Sequence, residues 1–129
     1  MAQKYSYHFD GETGILYKTY FGAITLEDIN SSWEYAINEG IIPKETRGFI
    51  LDYREAHFDI PIARHNEIAD FYKNHINIFG GFKIAIVTEN SKDIVIPVLV
   101  EMHDEGYVSR PFTTIKAAIE WIMIDAPFI

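Results

Sequence analysis

Asp52, Arg54, Glu55, His57, Asp59, Arg64, His65 and Glu67 crowd into one short stretch, and no other part of the chain offers as much chemistry. A guanidinium presents a fork of donors to a carboxylate or phosphate, so Arg54 and Arg64 could hold an anionic group. The competing reading is a local Asp52–Arg54 pair that fixes the chain. An imidazole can ligate a metal or move a proton. His57 and His65 lie eight residues apart and could supply two metal ligands, yet no HExxH or comparable close pairing supports them, and no metal is assigned. The plainer reading puts His65 at the edge of the core and His57 in solvent, with His8, His75 and His103 scattered. A general base at either histidine needs an acid or nucleophile that the sequence does not locate, so no catalytic residue is assigned. No nucleophile elbow, dinucleotide fingerprint or kinase motif occurs, and Gly80-Gly81 lacks the surroundings of a phosphate loop.

The elements around this stretch explain why it draws attention. Gly48-Phe49-Ile50-Leu51 is a continuous apolar run, as expected of a strand covered on both faces, and Asp52-Tyr53-Arg54-Glu55 ends it. A polar loop then leads to Asp59-Ile60-Pro61, which reads as a helix start with Asp59 as N-cap and Pro61 in the first turn. Ligands of open α/β sheets gather where strand C-termini meet helix N-termini. The candidate binding residues are therefore Tyr53, Arg54, His57, Phe58, Asp59, Arg64 and His65. Phe49, Phe71, Tyr72, Phe79 and Phe82 read as core, whereas Phe58 sits in a loop where nothing forces its burial.

In chain order, Tyr5, Tyr7 and Phe9 alternate with polar residues, a turn spans 10–14, and Ile15 to Ala23 resumes a β-prone run, giving an antiparallel hairpin. Thr25 with Asp28 predicts a capped helix carrying Leu26, Ile29, Trp33, Ala36 and Ile37 on one face, stopped by Gly40. The next helix is predicted from about Ile60 to Phe79, with His65, Ala69, Tyr72, Ile76 and Phe79 as its stripe. A strand at Phe82–Val87, a helix capped by Asp93, a short edge strand at Val108–Phe112 and a helix capped by Thr113 complete the order ββαβαβαβα. The fold class is α/β: a single domain over residues 1–129, with a mixed, mostly parallel sheet.

Composition narrows the function classes. The chain has 129 residues and a formal charge of −8, which opposes nucleic acid and anionic membrane surfaces. Zero cysteines exclude disulfides and thiolate chemistry and favour a reducing cytoplasm. No apolar stretch is long enough to span a bilayer, so stable membrane insertion is not expected.

From about Ile15 to Ile122 the pattern resembles the STAS domains, and most of all their SpoIIAA-like, anti-anti-sigma-factor-type relatives, which have been linked to Sec14-type lipid-binding domains. The resemblance rests on Gly48-Phe49-Ile50-Leu51-Asp52, on Phe82-Lys83-Ile84-Ala85-Ile86-Val87, and on the closing segment from Pro111 to Ile122 with its Phe112 and Trp121. It implies a small binding or regulatory module. The family's phosphorylatable serine would fall in Asp59-Ile60-Pro61-Ile62-Ala63-Arg64, and no Ser or Thr lies between Asp52 and Thr88. The expected function is thus a non-enzymatic module for a protein partner or small anionic ligand, without that switch and without a cofactor. A carrier of an apolar, lipid-like ligand is the alternative, and an enzyme with a histidine base comes third. A homodimer is left open.

Overall fold

The structure is a computed structural model that describes residues 3–124. Strands β1 (Tyr5–Asp10) and β2 (Ile15–Ile24) form the expected antiparallel hairpin, with Tyr7 opposite Lys18. Strands β3 (Gly48–Phe58), β4 (Lys83–Val87) and β5 (Val108–Phe112) then add in sequence order, each parallel to the one before. When successive parallel strands add on the same side, crossovers of one hand place their helices on the same face. Helices α1 (Leu26–Asn38), α2 (Asn66–Asn74), α3 (Ile76–Phe79) and α4 (Val95–Glu101) accordingly bury Leu16, Tyr20, Phe49, Leu51 and Ile84 beneath Ile29, Trp33, Tyr72, Phe79 and Val100. Helix α5 (Ile115–Met123) returns across the other face, where Ala118 and Ile122 meet Ile15, Ile50, Ala85 and Val87. Gly48 permits its close approach, since a Cβ there would stand 2.7 Å from Ile122 Cγ2.

Several boundaries follow the sequence. Thr25 Oγ1 accepts from the Asp28 amide at 3.1 Å while the Asp28 carboxylate accepts from the Thr25 amide at 2.9 Å, a complete capping box. Others require correction. The strand expected to end at Tyr53 continues to Phe58, so the supposed polar loop is sheet. Between Thr19/Asp52 and Phe21/Glu55 the pairing advances two residues on β2 and three on β3, a bulge that holds one extra residue in β3. The bulge reverses the alternation: Phe49, Leu51 and Tyr53 face the helices before it, and Ala56 and Phe58 face them after it.

Because β3 runs on, no helix starts at Ile60. The Asp59 amide donates to the Ile24 carbonyl at 2.8 Å, and Asp59 caps nothing. A short 3-10 turn at Ile62–Arg64 follows Pro61, α2 begins only at Asn66, and His75, outside helical backbone geometry, separates α2 from α3. The buried residues of this region are Ile60, Ile68, Ala69, Phe71, Tyr72 and Phe79, whereas Ile76 of the expected stripe is exposed. Asp93 is not a cap either; its carboxylate accepts from the Phe58 amide at 2.9 Å and ties β3 to the start of α4. Thr114, one residue after the expected cap, accepts from the Ala117 amide at 3.1 Å.

Lys18 projects from β2 on the helix-covered face and is 0% exposed. Its Nζ donates to Ser32 Oγ at 2.5 Å, and that hydroxyl donates to the Ile29 carbonyl at 3.0 Å. Around the amine stand the rings of Trp33, Tyr20, Tyr7 and Tyr5, with centroids 4.0, 4.6, 5.4 and 5.7 Å away. Among the described residues no carboxylate pairs with it. Burial pushes the pKa of its amine well below the ordinary lysine value.

The Lys18 box and the α5 face each generate a prediction. Between the lowered folded-state pKa of Lys18 and its unfolded value of about 10.4, the unfolded chain binds the additional proton, so the contribution of Lys18 to stability improves as pH rises. Lys18→Met removes that linkage and replaces a desolvated amine with an apolar chain of similar length. The variant is expected to be more stable than wild type at neutral pH. Its advantage should shrink with rising pH by up to about 1.4 kcal/mol per unit where one full proton separates the states; denaturant titrations from pH 6 to 9 measure this. On α5, Trp121 packs on Phe112 with centroids 5.3 Å apart, and Lys83 and Arg110 lie 5.3 and 5.1 Å from its ring. It is half-buried, so Trp121→Ala should destabilise by about 2–3 kcal/mol, below the range for a fully buried Trp. An unchanged unfolding midpoint would show that α5 gains nothing from this contact.

Candidate functional site

The bulge in β3 distributes the expected site residues over both faces of the sheet. Tyr53 points inward and is buried, stacked between Tyr20 at 4.4 Å and Phe58 at 4.3 Å. It is a core residue, and burial raises its hydroxyl pKa well above the ordinary value. Phe58 is half-buried by the same stack rather than free in a loop. Asp52 and Arg54 turn to the opposite face, where the Arg54 amide, Nε and Nη2 donate to the Asp52 carboxylate at 3.0, 3.0 and 2.9 Å. His57 and Asp59 are exposed.

Arg64 donates from Nε and Nη2 to Glu67 at 2.6 and 3.0 Å, and this holds the Glu67 carboxyl below its ordinary range. Both arginines expected to meet an anion therefore already meet a carboxylate of their own chain. With the α2 start displaced to Asn66, the expected anion cradle of Arg54, His57, Arg64 and His65 at a capped helix N-terminus is not formed.

Beside Arg64 there is instead an open cleft of about 680 Å³ between α1 and the 3-10 turn. Its carboxylates are Glu27, Glu34, Asp59 and Glu67, and its one guanidinium is bonded to the last of these. The field there is negative, opposite in sign to what an anionic ligand requires. Beneath Tyr53 and Phe58, an apolar cavity lined also by Ile68, Tyr72 and Ile96 measures about 20 Å³, room for a single water.

Two features lie outside the sequence reading. Helix α4 is apolar on both sides: Ile96, Pro97 and Val100 face the core, while Val95, Val98 and the following Met102 are 38, 43 and 75% exposed. The second is His65, which sits near His103 rather than His57, with Nε2 atoms 3.1 Å apart. Spacing could not reveal that pair, because 38 residues and a whole crossover separate its members. The sequence did carry a signal for the α4 stripe, since Val95-Ile96-Pro97-Val98-Leu99-Val100 has no polar face to turn to water.

No family model matches the chain, and no curated protein matches it. A solved structure does: an uncharacterised protein of the DUF3478 family with a SpoIIAA-like fold, from Shewanella loihica PV-4. The two share 13% identity over 95% of this chain and 98% of that one, with a TM-score of 0.60. The chain has a SpoIIAA-like fold: a five-stranded sheet, antiparallel at β1–β2 and parallel elsewhere, with helices on both faces. No described helix is long and apolar enough to cross a membrane.

The ion pairs set up a comparison. Asp52 is nearly inaccessible, so removing Arg54 strands a desolvated carboxylate, whereas Arg64 and Glu67 are both in solvent. Arg54→Ala is expected to destabilise by up to about 1 kcal/mol, and Arg64→Ala to leave the unfolding midpoint unchanged. Thermal melts of the two variants decide it, and equal effects would mean that the Asp52–Arg54 pair is no more than a surface contact.

Proposed function

We propose that this protein is a non-enzymatic binding module that recognises a protein partner through the outward side of α4 and the turn beside it. The observation that carries this reading is the exposed stripe of Val95, Val98 and Met102 on a helix whose other side is already core. Contiguous apolar surface on a folded domain marks a contact with another apolar surface. Glu101, Asp104 and Glu105 give the C-terminal end of the helix an acidic edge, and His103 at that same end meets His65, three residues after exposed Ile62. The fitting partner presents apolar side chains with basic ones at one end.

The other readings have less behind them. A lipid-like ligand needs a cavity far larger than 20 Å³. A small anion finds both candidate arginines paired and the adjoining cleft acidic. A histidine base at His65 has its two nitrogens engaged by the Ile62 carbonyl and by His103. Regulation by phosphorylation of a serine at the start of α2 is outside this module's means, since that segment carries no hydroxyl.

Photo-crosslinking tests the proposal. A benzophenone side chain placed at Met102 should form one discrete adduct in extract of the source organism, and the same group at Lys116 on α5 should not. Val98→Asp should abolish the adduct while leaving the unfolding midpoint within a degree or two, because Val98 is 43% exposed and lies outside the buried core. Equal adducts from both positions, or an adduct indifferent to Val98→Asp, would remove α4 from the interface.

A further inference from the structure

His65 opens α2 and His103 follows α4, and their rings meet edge to edge across the gap between these two elements. The Nε2 atoms are 3.1 Å apart and the ring centroids 5.1 Å apart. His65 Nδ1 lies 2.8 Å from the Ile62 carbonyl, an acceptor only, so Nδ1 carries the proton and donates it there. Neutral His65 is thereby fixed in the tautomer whose Nε2 offers a bare lone pair towards His103. A backbone carbonyl holding the far nitrogen of a ring is the arrangement that orients metal-ligating histidines and makes them better donors.

We propose that His65 and His103 form a two-imidazole site for a divalent ion of the nickel–copper–zinc group, clamping the start of α2 to the end of α4. Imidazole nitrogen is a preferred ligand for these ions. With metal–nitrogen bonds of about 2.0–2.1 Å, two ligands of a tetrahedral ion stand about 3.3 Å apart. The observed separation therefore needs to open by only a few tenths of an ångström. Without an ion, His103 Nε2–H donates to His65 Nε2; when an ion binds, that proton moves to His103 Nδ1, on an exposed ring. The exposure of this edge also gives the ion its route in.

The neighbouring carboxylates are committed elsewhere. Glu67 holds Arg64, Glu101 lies 3.5 Å from Arg110, and Asp104 accepts from the Ser109 amide and hydroxyl at 2.5 and 2.8 Å. Among the described residues no group of three or more ligand side chains converges. The ion's remaining positions thus go to water, which sets this site apart from a closed structural centre.

The test uses the untagged full-length chain in a non-coordinating buffer, with Zn²⁺ and then Ni²⁺ as probes. Calorimetric titration should give one ion per chain, and excess Zn²⁺ should raise the melting temperature, because an ion bound only by the folded state stabilises it. His65→Ala and His103→Gln should each weaken Zn²⁺ binding at least tenfold and abolish the thermal shift, while His57→Ala and His75→Ala keep both. Circular dichroism without metal should show all four variants folded. A wild-type protein that neither binds nor responds to either ion, or binding that survives both His65→Ala and His103→Gln, overturns the proposal and leaves the pair as a plain hydrogen bond.

Discussion

The pairing of β2 with β3 governs most of what surrounds it. Strand β2 runs from Ile15 to Ile24, and its hydrogen-bonding edge beyond Thr19 cannot be left bare inside a sheet. Strand β3 must match it, and does so from Gly48 to Phe58 with one extra residue after Asp52. That extra residue keeps both ends of the strand useful. Tyr53 and Phe58 stack on the covered face although five positions separate them, a parity that regular alternation forbids. The same kink turns Arg54 outward onto Asp52, and the Asp93 carboxylate takes the Phe58 amide at the strand's end, fixing where α4 begins. The helix that would have started at Ile60 is delayed to Asn66 because the chain is still being used as sheet.

Within this frame the covered face tolerates one polar intrusion. Lys18 occupies an inward position between Leu16 and Tyr20, and its desolvation is offset by one hydroxyl and by the ring faces of Trp33 and three tyrosines. Those rings belong to β1, β2 and α1, so the amine sits where the hairpin meets the first helix. The Tyr7 hydroxyl donates to the Ser32 carbonyl at 2.6 Å and closes the box from the edge strand. Ser32 therefore links both contacts, its side chain to Lys18 and its backbone to Tyr7. A purely apolar box would pack at least as tightly, so the lysine has to be explained by something other than cohesion.

What was legible in the sequence was what local pattern determines. The hairpin, the Thr25–Asp28 box, the alternation of helices with strands and the edge position of Pro111 all follow from short-range rules, and together they define the SpoIIAA-like fold. The site was less legible for a specific reason. A bulge breaks period-two alternation, so Arg54 to Phe58 reads as loop, and the cap expected at Asp59 with the anion cradle beside it depends on that reading. Lys18 was recoverable, because it shares the parity of Leu16, Tyr20 and Ile24 and must face inward with them. The His65–His103 contact was not, because it depends on how α2 and α4 settle on the sheet and no local pattern encodes that.

The exposed stripe on α4 also constrains what kind of contact the domain can make. Three side chains, already partly covered by their own helix, cannot supply the roughly 800 Å² per partner of a standard interface. The contact must spread, and the surface limits the directions in which it can do so. At the C-terminal end of α4 it meets Glu101, Asp104 and Glu105, and there too His103 touches His65 of the segment that follows exposed Ile62. Apolar surface can provide affinity without fixing orientation, whereas rim charges steer approach and set register. With apolar side chains along α4 and carboxylates concentrated at its C-terminal end, the face is asymmetric along the helix axis, which under the proposed reading would orient a partner with a matching basic edge. The cations beside that end are already engaged, Arg110 3.5 Å from Glu101 and Lys73 3.8 Å from Glu105. Under the proposed reading, a partner that brings its own basic edge would fit this face better than a second copy of the chain.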